Sequence, residues 1–326
     1  MAALGSSGVD VSPIILGCGN FGGVGSSPAF FGQGQTHEEA FEIMDVAWEA
    51  GITTFDTADA YGGGRSESWI GEWLRTKGAG VRDGIVLSTK TFNPMDEGED
   101  SGLAPARVRR QLESSLQRLG VDRVAMYLTH DWDHEVPIAE TLGALDELVH
   151  AGKVGAVGAS NVDGAQLRTA LDASARDNVV RFEWVQNSYS LLDREPERGV
   201  LAVCGEHGLG FTPFSPLAGG WLTGKYRRGE AAPAGSRMTQ RPEPYLQYVD
   251  DDAVWRGLDG LAEAARARGT TQAELALAWL LANPRVTAVV VGPRRASQLE
   301  PALAALAAPL SDGERDELGA IFPSLA

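Results

Sequence analysis

Short apolar runs alternate with helix-forming segments along most of this chain, and that alternation constrains its fold more than any other feature. Pro13-Ile14-Ile15-Leu16-Gly17 reads as a strand. Thr36-His37-Glu38-Glu39 then has capping-box spacing and opens a helix to about Ala50. Ile52 to Asp56 is the next strand, followed by a helix from Ser66 to Lys77. Ile85 to Lys90 leads to a helix from Pro105 to Leu119, with proline suited to its first turn. Val124 to His130 leads to Ile138–Ala151, and Val154 to Ala159 leads to Asp163–Ala175. Glu183 to Ser188 and Gly210 to Leu217 are further strands, and Thr287 to Gly292 is the last, before a helix from Ser297 to Leu306.

Strand–helix alternation of this kind implies a parallel sheet. Eight units with no second composition regime favour a closed (β/α)8 barrel of the TIM type over an open sheet. The 326 residues, 43% of them hydrophobic, are then expected to form one α/β domain over 1–326. The first eleven residues, centred on Ser6-Ser7-Gly8, are expected to form a small β-hairpin plugging the N-terminal end of the barrel. The longest loops fall near Gly22–Gln35, Phe92–Ala104 and Gly219–Tyr248, and long barrel loops are usually functional.

Composition removes several function classes. The two cysteines, Cys18 and Cys204, offer neither a disulfide framework nor metal-ligand spacing. A net charge of −16 argues against binding a phosphate backbone. The first residues have neither a basic nor an apolar leader segment, and no apolar run reaches membrane-spanning length. A cytoplasmic location, with no membrane or nucleic-acid partner, is the expectation. His37, His134, His150 and His207 suggest no metal set.

Reactive side chains stand where the apolar runs stop. Asp56 ends Gly51-Ile52-Thr53-Thr54-Phe55, Lys90 ends Ile85-Val86-Leu87-Ser88-Thr89, and His130 ends Met126-Tyr127-Leu128-Thr129. Tyr61 follows Asp56 by five positions, in Ala60-Tyr61-Gly62-Gly63-Gly64. In a barrel of parallel strands those ends converge on the C-terminal face, where chemistry is built. An acid, a phenol, an amine and an imidazole meeting there make a proton-transfer site. A phenol is protonated at neutral pH and can donate, and a nearby ammonium favours its phenolate. Lys90 supplies that cation, Asp56 holds it, and His130 is placed to donate to an oxygen on which charge builds. Taken singly, each residue also has an ordinary structural reading; taken together in order they do not.

Two glycine motifs mislead. Gly17-Cys18-Gly19-Asn20-Phe21-Gly22 satisfies G-x-G-x-x-G after a strand, but Gly23-Val24-Gly25-Ser26-Ser27-Pro28 cannot open the helix a dinucleotide fold needs there. Gly219-Gly220-Trp221-Leu222-Thr223-Gly224-Lys225 matches G-x-x-x-x-G-K, but Tyr226 stands where a triphosphatase needs Ser or Thr for magnesium. Anion binding by that loop remains open.

The segment Gly-Ile-Thr-Thr-Phe-Asp-Thr-Ala-Asp-Ala-Tyr-Gly-Gly-Gly-Arg-Ser-Glu from Gly51 resembles the aldo-keto reductase family. The resemblance continues through Ser88-Thr89-Lys90, Tyr127-Leu128-Thr129-His130, Gly155 to Asn161, Val185-Gln186-Asn187, Phe214-Ser215-Pro216-Leu217 and Gly292. The branch is similar to bacterial reductases related to the potassium-channel β subunit. This implies an NADP(H)-dependent carbonyl reductase in which Asp56, Tyr61, Lys90 and His130 take the places of the catalytic tetrad. By the same resemblance Ser160, Asn161 and Gln186 hold the nicotinamide carboxamide, and Phe214 covers its ring. Leu217, Gly219 and Lys225 fall in the pyrophosphate loop, and Gly292, Arg294 and Gln298 near the adenosine phosphate. Pro301 and Ala302 depart from the Glu and Asn that many relatives carry near the adenine.

For a small carbonyl substrate, the loop aromatics Phe21, Phe92, Trp132, Trp221 and Tyr245 are candidate pocket walls. Asp131 and Asp133 beside Trp132 make a keto-sugar the alternative substrate. Other readings are a cofactor-loaded regulatory subunit with little turnover, a metal-dependent barrel hydrolase and an open-sheet dehydrogenase.

Overall fold

The structure, a computed structural model, describes residues 1–98 and 100–322. A two-stranded antiparallel ribbon comes first, β1 (Ala2–Ala3) with β2 (Asp10–Val11). Eight parallel strands follow: β3 (Ile14–Gly17), β4 (Thr54–Asp56), β5 (Val86–Thr91), β6 (Val124–Thr129), β7 (Val154–Ser160), β8 (Trp184–Gln186), β9 (Gly210–Phe211) and β10 (Val289–Val291). They pair in chain order from β3 to β9, with β10 beside β3. Thr287 N–H donates to Phe211 O at 2.8 Å and Val290 N–H to Pro213 O at 2.9 Å, joining the two edges into a cylinder. The expected (β/α)8 barrel and its leading hairpin are therefore present.

The helices that surround the sheet owe their boundaries to local chemistry. After β3 comes α1 (His37–Glu49), opened by the Thr36–Glu39 capping box, in which each side chain bonds the other's backbone N–H. The next three are α2 (Arg65–Thr76), the short α3 (Ala79–Gly84) and α4 (Pro105–Leu119), with Pro105 in the first turn of α4. Gly120, left-handed at φ 68°, stops α4. Next come α5 (Ile138–His150), α6 (Gly164–Asp177), capped by Asp163, and α7 (Val200–His207). Between β9 and β10 lie α8 (Arg237–Gln240), α9 (Asp252–Arg268) and α10 (Gln272–Leu281). The chain then forms α11 (Glu300–Ala307) and α12 (Asp312–Ile321).

Two expected elements differ. The run from Gly210 leaves regular pairing after Phe211, because Pro213 has no N–H to give the ladder. The expected helix from Ser297 is a 3-10 turn over Ala296–Leu299, and the α-helix begins at Glu300.

Two apolar layers hold the barrel. One lies between strands and helices, with Phe55, Trp73, Tyr127 and Trp279 all sealed from solvent. The other fills the cylinder with Ile15, Met126, Leu128, Trp184 and Val290, and Leu4 and Val11 of the hairpin pack into it from below. The hairpin thus closes the N-terminal end by burying two side chains, as its position suggested. No helix of the described residues is long and apolar enough to cross a membrane.

Candidate active site

Parallel register brings the reactive residues to one rim. Asp56 ends β4 beside Gly17, Lys90 stands next to last in β5 beside Leu128, and Ser160 and Gln186 end β7 and β8 side by side. His130 follows β6 directly, its N–H donating to Thr91 O at 2.9 Å. Tyr61 stands on a turn whose next three residues, Gly62, Gly63 and Gly64, all have positive φ. A Cβ at Gly62 would lie 2.6 Å from Phe21 O, so this turn can pass the neighbouring loop only as glycine.

The four groups touch. Lys90 Nζ donates to Asp56 Oδ2 at 2.6 Å, to Thr57 O at 2.8 Å and to the Tyr61 hydroxyl at 3.4 Å. The Tyr61 hydroxyl lies 3.5 Å from His130 Nε2. Asp56 Oδ1 accepts from Ser88 Oγ at 2.7 Å and Gln186 Nε2 at 3.2 Å, which fixes the carboxylate that grips the amine. Lys90 is 0% and Asp56 3% exposed, a fully desolvated ion pair.

Protonation follows from that burial. Desolvation pulls the Lys90 ammonium pKa down, but the charge of Asp56 and the bonds to Asp56 and Tyr61 outweigh it, leaving the value raised. Burial lifts the Tyr61 phenol above its ordinary value, and the nearby Lys90 charge only partly offsets this. The phenol therefore stays protonated at neutral pH, whereas charge proximity alone suggested a value drawn toward neutrality. Burial, reinforced by Lys90, pushes His130 well below the usual imidazole value, so the ring is neutral. Among the described residues its buried Nδ1 has no hydrogen-bond partner.

A cleft of about 1200 Å³ opens over this cluster. That exceeds the volume of an ordinary small-molecule pocket and leaves room for a dinucleotide beside a substrate. Its walls include Asp56, Tyr61, His130, Ser160, Asn161, Gln186, Phe214, Leu217, Gly219, Lys225, Gly292, Arg294 and Gln298. Lys90 lies beneath the floor, reaching the cleft through Tyr61. Pro301 lines the wall, and Ala302 is buried. Of the aromatic candidates, Tyr245 lines the cleft, but Phe21 (0% exposed) and Trp221 (2%) are core. Phe92 and Trp132 pack against that core, outside the lining. Asp133 is spent on the backbone N–H groups of Leu103, Glu135 and Val136, while Asp131 stays on the rim.

The far end of the cleft is cationic. Burial and the charges of Arg294, Arg237 and Arg295 lower the Lys225 pKa, and burial followed by neighbouring arginines lowers that of Arg237. Lys225, Arg237, Arg294 and Arg295 thus converge on one end of the cleft. Arg237, absent from the sequence reading, hydrogen-bonds Asn20 Oδ1 at 3.1 Å and faces the same space. Asn161, Ser215 and Ala218 line the cleft with positive φ, backbone strain of the kind that gathers at functional sites. Among the described residues no group of three or more His, Cys, Asp or Glu converges as a metal site would.

A buried acid–amine–phenol–imidazole set lies at the mouth of a parallel barrel, beside a cleft with cations at its far end. The model of the Aldo/keto reductase family matches residues 13–322, and the chain belongs to that family. Its members act on carbonyl compounds and generally use NAD(P)H. Among its relatives, the "Uncharacterized oxidoreductase YrpG" of Bacillus subtilis (strain 168) is 35% identical, covering 98% of this chain and 95% of that protein. A "Probable voltage-gated potassium channel subunit beta" of Arabidopsis thaliana is 34% identical over 91% of this chain and 88% of that one. The "Versiconal hemiacetal acetate reductase" of Aspergillus parasiticus is 28% identical over 96% and 94%.

Proposed function

We propose that this protein is an NADPH-dependent reductase of aldehydes or ketones, with Tyr61 as proton donor. The observation that carries the reading is the Tyr61 hydroxyl, within reach of both Lys90 Nζ and His130 Nε2 on the cleft floor. NADPH, when bound, supplies the hydride to the carbonyl carbon. Ser160, Asn161 and Gln186 are the polar groups available for its carboxamide, and Phe214 for its ring. Lys225, Arg237, Arg294 and Arg295 are the cations available for its phosphates.

This chain's own part is then proton management. Neutral His130 donates a hydrogen bond to the carbonyl oxygen and orients it. Tyr61 passes its proton to that oxygen as negative charge develops, giving the alcohol and a phenolate. Lys90 stabilises the phenolate, and Asp56 keeps the ammonium charged and in place. Solvent in the cleft returns the proton to Tyr61. Tyr61→Phe should lower kcat by ~10²–10⁴ while cofactor affinity changes little; near-normal turnover would remove Tyr61 from this role.

NADPH is favoured over NADH because a guanidinium suits the 2′-phosphate that NADH lacks. Among the described residues the Arg294 guanidinium bonds only Gly235 O, through one Nη. Titrations followed by tryptophan fluorescence should give tighter binding of NADPH, and Arg294→Ala should weaken it selectively. Equal dissociation constants for the two nucleotides refute the preference. The likeness to a channel β subunit supports a second reading, a cofactor-loaded regulator, which the same parent protein tests by its turnover.

A further inference from the structure

Asp59 takes no part in the chemistry above, yet it is 0% exposed and lies two residues before Tyr61. Its Oδ1 accepts the Ala60 N–H at 2.7 Å, and its Oδ2 accepts the Thr91 hydroxyl at 2.7 Å. Its own N–H donates to Lys90 O at 3.0 Å. Thr91 adjoins Lys90, and Thr91 O receives the His130 N–H at 2.9 Å. Arg107 Nη1 donates to Thr91 Oγ1 at 2.8 Å and to Gly102 O at 3.0 Å, and Nη2 to Asn93 O at 2.8 Å. One carboxylate therefore links the turn bearing Tyr61 to the strand end that carries Lys90 and anchors His130.

We propose that Asp59 is a positioning residue that, through Thr91, fixes the Tyr61 hydroxyl against Lys90 and His130. The inference rests on Tyr61 being the proton donor. Its force comes from how little slack the donor has. The two contacts of the hydroxyl, 3.4 and 3.5 Å, are already at the limit of hydrogen bonding, so a turn displaced by about an ångström breaks both. The link survives a change of charge on Asp59. Burial and the neighbouring Glu67 carboxylate push its pKa up to about 7, against the hydrogen bonds of Thr91 and Ala60 and the charge of Arg107. In the neutral acid the O–H donates to Thr91 Oγ1, whose hydroxyl reverses, and the carbonyl oxygen keeps the Ala60 N–H. An asparagine keeps both contacts, Oδ1 accepting the Ala60 N–H and Nδ2 donating to Thr91 Oγ1, which also accepts from Arg107 Nη1; an alanine keeps neither.

Steady-state kinetics of Asp59→Ala, Asp59→Asn and Tyr61→Phe, each with NADPH binding measured by fluorescence, test this. Asp59→Ala should lose about tenfold or more in kcat, with KM and the NADPH dissociation constant within about twofold of the parent. Asp59→Asn should return kcat to within about threefold. Where Asp59→Ala does not fold, Thr91→Val cuts the same link from the other side and carries the same expectation. Parent-like kcat in the severed variant overturns the proposal, as does an Asn variant as slow as Ala. If Tyr61→Phe retains turnover, the donor assignment fails and this inference with it. If Tyr61→Phe is inactive and Asp59→Ala is not impaired, the positioning role alone fails.

Discussion

Replacing Lys90 by methionine separates the structural from the chemical work of the buried pair. Lys90 Nζ makes three contacts, and its loss leaves Asp56 Oδ2 without the Lys90 bond and Thr57 O without this donor. Asp56 Oδ1 keeps Ser88 and Gln186, so the charge is still partly held. Breaking a buried pair typically costs about 3–5 kcal/mol, which for a chain of this size lowers the Tm by roughly 4–7 °C. Because the folded-state pKa of Lys90 is raised, its contribution is fully present below the ordinary lysine value and is lost as pH rises through the folded value. The gap between parent and variant should therefore be flat across neutral pH in urea denaturation. Adding Asp56→Asn removes the stranded charge and should recover all but about 1–2 kcal/mol. Turnover should stay down by ~10² or more in both variants, because no ammonium remains to stabilise the phenolate. A double variant as unstable as the single one refutes the argument from an uncompensated charge, and recovery of turnover in either refutes the role of the ammonium.

Two further outcomes concern stability. The carboxyl of Asp59 sits at about 7 in the fold against 3.8 as its reference value, so its ionisation opposes folding. Stability from this residue is fully present below the unfolded pKa and is lost as pH rises to about 7, up to roughly 4 kcal/mol at 1.36 kcal/mol per unit. Asp59→Asn should thus be more stable than the parent at pH 8, with the gain vanishing toward about pH 4; a gain independent of pH contradicts this. Leu4→Ala in the hairpin plug should cost about 2–5 kcal/mol by calorimetry or denaturant, since Leu4 is sealed within the barrel interior. An unchanged midpoint means the hairpin adds no packing.

The sequence made the strand ends legible because a strand leaving a buried sheet must change from apolar to polar at one residue. Asp56, Lys90 and His130 could be found that way, and Tyr61 by its glycine turn. The pocket walls could not. An aromatic residue in a loop is equally suited to a cleft or a core, and only packing sent Phe21 and Trp221 inward while Tyr245 stayed at the cleft. Arg237 was hidden for a different reason: it opens α8, a single turn too short to show a period, and proximity to Lys225 and Arg294 is what gives it meaning. The helices α10 and α12 did carry a signal, the Thr271–Glu274 and Ser311–Glu314 capping boxes, which strand counting passed over. The 3-10 turn before α11 left no such mark.

Turnover reports on proton donation by Tyr61 in an NADPH-driven reduction. Parent protein and Tyr61→Phe are mixed with NADPH and a panel of aliphatic, aromatic and hydroxylated aldehydes and ketones, following NADPH absorbance and alcohol formed. NADPH consumption by the parent, matched by alcohol, is expected, with a rate lower by ~10²–10⁴ in a Tyr61→Phe variant that still binds NADPH. A parent protein that binds NADPH but consumes it with no carbonyl, or a phenylalanine variant that turns over like the parent, contradicts it.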